Sequence, residues 1–478
     1  MSSELKKKTV KGVVWSTAEN FSMIGINFIV GIILARLLSP SDYGLIAMIT
    51  IFMAISQAFI DSGFRNALIR KPTITDADYC TAFYFNIIAA AVLYGLLFAL
   101  SPWVAVFYNK PILCDLLRVE ALTIVIGAFN IVQRVRLTRS LNFKLIAIIS
   151  VTSNLVSCGI GLFMAFTGYG VWSLVFMHIN TYTMQMLLLW LTSPWRPRSR
   201  WSGESFRYLW GFGSKLLASG LLDKIYHNIY PIVIGKFFSA ASLGQYTRAH
   251  GFADLPSSNL TGVLQKVTFP VLSKMQDDTL RLAENYRRML RLSAFVIFPL
   301  MVGMAALARP LVLTLITDKW AESIVYLQII CFAMMWYPVH AINLNLLQVK
   351  GRSDLFLRLE IIKKVIVTIA MVVTIPFGIV AMCVGSVCTS LIALAINTHY
   401  TGRLINVGFI MQIKDLSPTL LLSLLMGAVV YTLTRFASLP DGALLAVGIT
   451  VGAAIYLAIA QLTRMPELQE AINIIRRK

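Results

Sequence analysis

The chain has 478 residues, 57% of them hydrophobic and only 13% charged, with a mean hydropathy of +0.74. A soluble protein of this length could not hide so much apolar surface, so a water-soluble enzyme or binding domain is excluded. The net charge of +20 is spread over separate short segments, which argues against a nucleic-acid surface and suits contact with anionic headgroups.

A bilayer core is about 30 Å thick, and a spanning helix needs roughly 20 apolar residues. Runs of that kind recur along the chain, with no connection large enough for a soluble domain. They predict an all-α integral membrane protein with fourteen transmembrane helices, near 13–37, 43–64, 80–105, 113–133, 145–167, 170–192, 213–238, 244–266, 292–316, 323–348, 358–376, 378–400, 416–436 and 443–462.

The first span follows Lys6, Lys7, Lys8 and Lys11. It superficially resembles a signal peptide, but the apolar run is too long and no small-residue cleavage site follows, so it is expected to stay as an uncleaved helix. Connections then alternate in character. One set holds most of the 42 Lys and Arg residues: the N-terminal lysines, Arg65 to Lys71, Arg134 to Lys144, Arg196 to Lys215, Lys266 to Arg291, Lys350 to Arg358, Arg403 with Lys414, and Arg464 to Lys478. The other holds Arg36, Lys110, Lys236, Arg309, Lys319 and Arg435. Basic residues near span ends favour the cytoplasm. Both termini are therefore expected there, which an even number of spans requires.

Spans one and two overlay spans seven and eight at a shift of 200 residues without a gap. Ala35-Arg36-Leu37-Leu38-Ser39 meets Gly235-Lys236-Phe237-Phe238-Ser239, and Gly44 meets Gly244. Ser16, Asn20, Met23 and Asn27 share a helical face, and their counterparts are Leu216, Gly220, Asp223 and His227. Gln57, Asp61 and Arg65 recur every four residues, opposite Ser257, Thr261 and Gln265. Tyr108-Asn109-Lys110 similarly resembles Thr317-Asp318-Lys319. A shift of six spans preserves orientation. The expected architecture is two six-helix bundles in parallel repeat (1–195 and 213–403), a basic-aromatic cytoplasmic linker (196–212), and two additional helices with a tail (404–478). Repeats of this kind are characteristic of transporters, with the substrate site between halves near mid-membrane.

Ionisable side chains inside a span cost roughly 2.5–3.5 kcal/mol on insertion scales and usually face a cavity or a partner. They cluster in the repeated helices: Glu19 and Asn20 in span one, Asp61 and Arg65 in span two, Asp223, Lys224 and His227 in span seven, and Arg248, His250 and Asp254 in span eight. Asp223 and His227 are spaced i,i+4 and share a face. These residues are candidates to line a central cleft; ion pairing for packing, or snorkelling of Arg65 and Arg248, is the structural alternative. His178 and His340 read as satisfied core residues. Pro231, Pro256, Pro299 and Pro338 lie in or near span interiors, where each imposes a kink or a hinge.

Two cytoplasmic segments stand out. Pro194 to Trp210 carries Trp195, Trp201, Tyr208 and Trp210 among arginines, as an interfacial strap on anionic lipid would. Gln276 to Arg291 reads as a short amphipathic helix with Leu280, Ala283, Tyr286 and Leu290 on one side. The cysteines (Cys80, Cys114, Cys158, Cys331, Cys383 and Cys388) have neither zinc-ligand nor disulfide-framework spacing, so no metal and no cofactor is expected. There is no GxxxxGK[ST], HExxH or GxSxG motif. The outer connections are short for a glycan-assembling enzyme, so a transporter rather than an enzyme is expected.

The stretch Leu34-Ala35-Arg36-Leu37-Leu38-Ser39-Pro40-Ser41-Asp42-Tyr43-Gly44 resembles the first outer turn of Wzx-type polysaccharide flippases. These are lipid-linked oligosaccharide transporters of the multidrug/oligosaccharidyl-lipid/polysaccharide (MOP) exporter superfamily. Asp61-Ser62-Gly63-Phe64-Arg65-Asn66-Ala67-Leu68-Ile69 resembles the end of their second helix. Met275-Gln276-Asp277-Asp278 with Arg281 resembles their central cytoplasmic loop, and Lys319-Trp320 the turn before span ten. The colanic-acid exporters are the most similar subgroup.

The resemblance implies the MOP flippase fold in a bacterial inner membrane. It implies translocation of undecaprenyl-diphosphate-linked oligosaccharide by alternating access, for lipopolysaccharide, capsule or exopolysaccharide. The implied partners are that lipid-linked substrate, H⁺ or Na⁺ as coupling ion, membrane lipids, and a polysaccharide polymerase with its chain-length regulator, with no nucleic acid. On that reading Lys224, Arg248 and Arg65 would meet diphosphate, with Asn20, Asn27 and His227 beside them. Glu19, Asp61, Asp223 or Asp254 would bind the coupling ion. A lipid II flippase and a MATE-like cation-coupled drug antiporter are the alternatives within the superfamily.

Overall fold

In a computed structural model the backbone is described for residues 3–61 and 64–476, with the side chains there except those of residues 3–9, 61, 215, 216, 218, 219, 222, 471 and 474–476. Among the described residues every regular element is a helix. The chain divides into two compact units, Met1–Gly244 and Gln245–Lys478.

The first unit comprises α1 (Ser3–Leu37), α2 (Pro40–Asp61), α3 (Phe64–Arg70), α4 (Asp76–Tyr108), α5 (Ile112–Glu120), α6 (Leu122–Arg139), α7 (Phe143–Phe166), α8 (Trp172–Thr192), α9 (Gly203–His227), α10 (Ile229–Phe237) and the start of α11 (Ala240–Ser273). The second holds the rest of α11, then α12 (Thr279–Ala306), α13 (Ala308–Ile316), α14 (Ser323–Met334), α15 (Tyr337–Val349), α16 (Ser353–Thr374), α17 (Gly378–Ile405), α18 (Phe409–Phe436), α19 (Asp441–Leu462) and α20 (Pro466–Arg476).

Ten helical stretches among the described residues are long and apolar enough to cross a bilayer, judged by length and composition. This is a multi-pass membrane protein. One stretch, Ser353–Ile405, runs for 53 residues through α16 and α17. At about 1.5 Å per residue it is far longer than one crossing. A 3₁₀ turn at Ile375–Phe377, with Pro376 inside it and Gly378 at φ 89° after it, divides the two helices. Three sequence-predicted spans lie outside the ten stretches: 113–133, 213–238 and 244–266. The first two are broken helices, and all three carry charge.

The turn that motivated the internal alignment is built the same way twice. Ahead of α2, the Asp42 carboxylate accepts the Ser39 N–H at 2.9 Å, while Ser39 Oγ accepts the Asp42 N–H at 3.3 Å. This reciprocal pairing satisfies donors that a helix start leaves open. Ahead of α11, Ser239 Oγ accepts the Ser242 N–H at 3.0 Å. A Cβ added at Gly44 would lie 1.7 Å from the Ala240 carbonyl oxygen, and one added at Gly244 would lie 1.8 Å from that of Pro40. The two helix starts thus meet backbone to backbone within the first unit, through positions related by the same 200-residue shift.

Proline removes a helical N–H and frees the carbonyl four residues earlier. Hydroxyls stand over several of these carbonyls. Pro102 frees Phe98, which accepts Ser101 Oγ at 2.8 Å. Pro299 frees Phe295, which accepts Tyr456 Oη at 2.8 Å. Pro338 frees Met334, which accepts Ser257 Oγ at 2.9 Å. Pro418 frees Lys414, which accepts Ser417 Oγ at 3.2 Å. Each of these freed carbonyls is thus met by a hydrogen bond.

Both segments expected at the cytoplasmic surface differ from expectation. Residues 276–291 do not form a separate helix: α12 is capped by Asp278, whose carboxylate accepts the Arg281 N–H at 3.0 Å, and runs unbroken to Ala306. Leu280 is exposed, whereas Leu282, Tyr286 and Leu290, four apart, are fully buried. Tyr286 Oη donates to Asn343 Oδ1 at 2.8 Å and accepts from Gln412 Nε2 at 3.0 Å, so its apolar stripe joins α12 to α15 and α18. The strap is packed on protein at one end. Trp195 is buried, with Nε1 donating to Asp76 Oδ1 at 2.6 Å, and Ser199 Oγ donates to the other oxygen at 2.9 Å. Trp201, Tyr208 and Trp210 remain exposed, as an interfacial segment requires.

Two expectations follow. Gly44→Ala and Gly244→Ala should each lower the yield of monodisperse protein in fluorescence size-exclusion, since overpacking against backbone costs about 1–3 kcal/mol. Gly95→Ala, where nothing lies within 4 Å of the added Cβ, should not. Tyr456→Phe leaves the Phe295 carbonyl unpaired in an apolar setting and should lower thermal stability in detergent by about 1–3 kcal/mol.

Candidate functional site

Polar side chains inside apolar helices are the candidates for function, because each must find a partner or water. In the first unit they form a series across α1, α5, α6, α7 and α8. Glu19 Oε1 lies 3.7 Å from Arg134 Nη2, an ion pair toward the end of the unit that carries the basic connections. Asn27 lies about 15 Å before the end of α1, near the middle of a bilayer-length helix. Its Oδ1 accepts Asn154 Nδ2 at 3.0 Å. Asn180 Nδ2 donates to Ser157 Oγ at 3.0 Å, and Asn130 Nδ2 to the Tyr182 carbonyl at 3.3 Å. Toward the other end, Glu120 Oε1 lies 2.9 Å from His178 Nδ1. Asn20 is exposed on α1.

Arg65 is half-buried on α3, beside Phe64, which is fully buried and stacked on Phe85 at 4.5 Å. The side chain of Asp61, at the end of α2, is outside the described residues.

Sequence-predicted span seven is two helices. The chain leaves α9 at His227 and resumes in α10 at Ile229. The buried Asn228 makes the break, its Nδ2 donating to the Lys224 carbonyl at 2.8 Å. Pro231 contributes, since it has no N–H to offer the His227 carbonyl. Asp223, Lys224 and His227 are all exposed on the closing turns of α9. Lys224 and His227 stand in the last turn, where open helix carbonyls favour cations. The end of α9 therefore presents a basic, hydrogen-bonding surface.

In the second unit, Arg248 packs its guanidinium against Phe252 and Trp320, at 5.7 and 5.8 Å from the ring centroids. Trp320 is fully buried, and Gln245 Nε2 donates to the neighbouring Lys319 carbonyl at 2.7 Å. Arg248 thus belongs to the fastening of α11 to the turn before α14, a cation–π arrangement with a structural purpose. Asp254 accepts the Ser258 hydroxyl one turn along α11.

The two lone histidines diverge. His340 is a satisfied core residue as expected, with Nε2 3.1 Å from Ser390 Oγ and Nδ1 3.3 Å from Asn397 Nδ2. His178 is not: its side chain is 42% exposed and faces a carboxylate that is 8% exposed. Sequence reading passed over Glu120, although it falls inside the predicted span 113–133, where a carboxylate asks for a partner. Each cysteine is free, and among the described residues no cluster of His, Cys, Asp and Glu comes together to hold a metal ion.

Apolar crossing helices, interior polar side chains and broken helices define a multi-pass transporter-type membrane fold. The chain belongs to the family described as polysaccharide biosynthesis protein, whose model matches residues 33–325. It is 24% identical over 400 residues to the lipopolysaccharide biosynthesis protein WzxC of Escherichia coli strain K12, covering 82% of this chain and 80% of that one. Its fold is similar to a solved structure of the lipid II flippase MurJ in an inward closed conformation, with TM-score 0.76, 16% identity, and 94% and 98% of the two chains covered. It is also similar to an inward-facing multidrug resistance MATE family transporter of the MOP superfamily, with TM-score 0.63, 14% identity, and 82% and 98% covered. The resemblance read from residues 34–44 therefore holds.

Exposure of Lys224 and His227 has a direct check. In a Cys388→Ser background, which removes the exposed native thiol, Lys224→Cys and His227→Cys should react with a membrane-impermeant maleimide. Arg248→Cys, on the Phe252–Trp320 shelf, should react at least about tenfold more slowly, as thiol access and ionisation dictate. Equal rates at all three positions would contradict the geometry described.

Proposed function

We propose that this protein translocates lipid-linked oligosaccharide repeat units across a bacterial inner membrane for surface-polysaccharide synthesis. The observation that carries the reading is family membership over residues 33–325 in a chain built of apolar helices. WzxC, named for lipopolysaccharide biosynthesis, supports the same cargo class. A diphosphate and its sugars cannot cross hydrocarbon unaided. A polar interior can shelter the headgroup while the polyprenyl tail stays in lipid.

On this reading the chain crosses the membrane fourteen times, as two six-helix repeats plus α18 and α19, with both termini cytoplasmic. The matching caps at Ser39 and Ser239 and the reciprocal approach of Gly44 and Gly244 support the repeat. The segment divisions stay as the sequence suggests: 1–195, 196–212, 213–403 and 404–478. Lys224 and His227 at the α9 break are the leading contacts for diphosphate, with Asn20, Asn27 and Arg65 as further polar contacts for the head. Arg248 would act on substrate only by leaving the Phe252–Trp320 shelf, and so ranks behind Lys224. Glu19, Asp61, Asp223 and Asp254 are the coupling-ion candidates, with H⁺ or Na⁺ as the ion. A polymerase and its chain-length regulator would take the delivered units.

The test is a deletion strain. Lipid-linked repeat units should accumulate and surface polysaccharide should be lost, and the wild-type gene should restore both. Lys224→Gln combined with Arg248→Gln, expressed at wild-type level, should restore polymer poorly. Normal polymer in the deletion strain would sink the proposal, and arrest of growth with intact surface glycan would point instead to a cell-wall precursor as cargo.

A further inference from the structure

One pair in the first unit has a chemistry that substrate binding does not use. Glu120 closes α5 and is 6% exposed, and α8 brings His178, in its second turn, to it from 58 residues away. Glu120 Oε1 meets His178 Nδ1 at 2.9 Å, while Glu120 Oε2 is buried with no hydrogen-bond partner among the described residues. Placing these residues along their helices puts Glu120 about 12 Å past the start of α5 and His178 about 9 Å past the start of α8. Both helices start at the end opposite the basic connections, so the pair lies at membrane depth.

We propose that Glu120 and His178 form a proton-binding site of the transport cycle. With one proton between them the pair is neutral, as carboxylic acid beside imidazole or as carboxylate beside imidazolium. Losing that proton leaves a buried carboxylate with one oxygen unsatisfied; gaining another leaves an imidazolium beside a carboxylic acid. Both departures from neutrality are costly where water is scarce, so the pair exchanges protons only when its surroundings change. His178 supplies the path. Its side chain reaches the protein surface, 42% exposed, while the carboxylate is covered, so the imidazole is the member of the pair assigned to exchange protons.

The surrounding charges leave the pair to itself. Apart from tyrosines and cysteines, α4 carries only Asp76 and Asp78, and α7 only Lys144, all at the basic end of the unit. α8 has no other ionisable group within its span apart from Tyr182. The arginines of α6 begin at Arg134, fourteen residues further along the chain than Glu120 and about 20 Å away along the helices. On α1, Glu19 lies toward the basic end and Arg36 in the last turn. On α2, Asp42 sits in the first turn, and a Cβ at Gly170, two residues before α8, would lie 3.5 Å from its Oδ1. On α5 itself, Asp115 lies in the first turn, and Arg118 is engaged, with Nε donating to Ser101 Oγ at 2.8 Å and its guanidinium over the Phe98 ring at 4.2 Å. Sodium is the poorer occupant. One carboxylate oxygen and one imidazole nitrogen are too few ligands for a hard cation, which prefers several oxygens.

The site is defined by geometry; its coupling to transport rests on the function proposed above. The experiment separates the two. Dicyclohexylcarbodiimide modifies protonated carboxyls in apolar surroundings and requires no carbohydrate. Purified full-length protein should acquire an adduct at Glu120, found by peptide mass spectrometry, in a yield that falls as the pH is raised. Glu120→Gln should lose that adduct while eluting normally on size exclusion. His178→Asn removes the imidazolium that favours the carboxylate, so labelling should persist to higher pH, a shift that a packing role would not produce. Absence of the adduct in folded wild-type protein, or labelling indifferent to pH and to His178→Asn, overturns the site. In cells, Glu120→Gln should restore less than a tenth of the wild-type polymer to the deletion strain; full restoration overturns the coupling and leaves the polysaccharide reading standing.

Discussion

In hydrocarbon every backbone N–H and C=O must find its partner within the protein, because no water is there to take its place. The rest of this structure depends on that constraint. It explains why the described elements are all helices. It also explains why prolines are tolerated in them: the carbonyls freed at Phe98, Phe295, Met334 and Lys414 are each met by a hydroxyl from Ser101, Tyr456, Ser257 and Ser417. Two of these hydroxyls come from another helix, so a kink also becomes a fastening between helices. Tyr456 joins α19 to α12, and Ser257 joins α11 to α14.

The same constraint separates structural from functional polar residues. A charge at depth that has been given a shelf, as Arg248 has between Phe252 and Trp320, contributes packing whether or not it ever meets substrate. Lys224 and His227 are placed differently. They stand exposed in the last turn of α9, which ends at His227 just before the buried Asn228. Interrupting a helix at membrane depth exposes backbone carbonyls, a cost that makes physical sense only where water or a polar headgroup can reach them.

Much of this was legible in the sequence. Apolar runs of spanning length marked the helices, and the match of Ser39 and Gly44 with Ser239 and Gly244 foretold two turns built alike. The interruptions were harder to read. Ala121, Asn228 and Leu307 break helices inside sequence-predicted spans; the Asn228 break stands among evident local signals, Pro231 and the polar residues Asp223, Lys224 and His227. Tyr286 was placed on the correct face but assigned to a surface helix, because an amphipathic start to a long helix and a free amphipathic helix have the same periodicity. Trp195 was read as lipid-facing because aromatic and basic residues favour the interface; its burial depends on Asp76, more than a hundred residues earlier, accepting its indole N–H.

Glu120 and His178 show where single-helix reading stops. Neither residue has a local motif, and the two lie 58 positions apart, with two helices and their turns between them. What the sequence does carry is the cost: a carboxylate inside span 113–133 must be neutralised, shared or hydrated. In the structure one oxygen is shared with an imidazole and the other is left unbonded. A purely structural pair gains by satisfying both oxygens, since a half-satisfied buried carboxylate is less stable than either a complete network or an apolar replacement. Persistence of the open oxygen beside a half-exposed imidazole is therefore the arrangement expected of a group whose protonation changes.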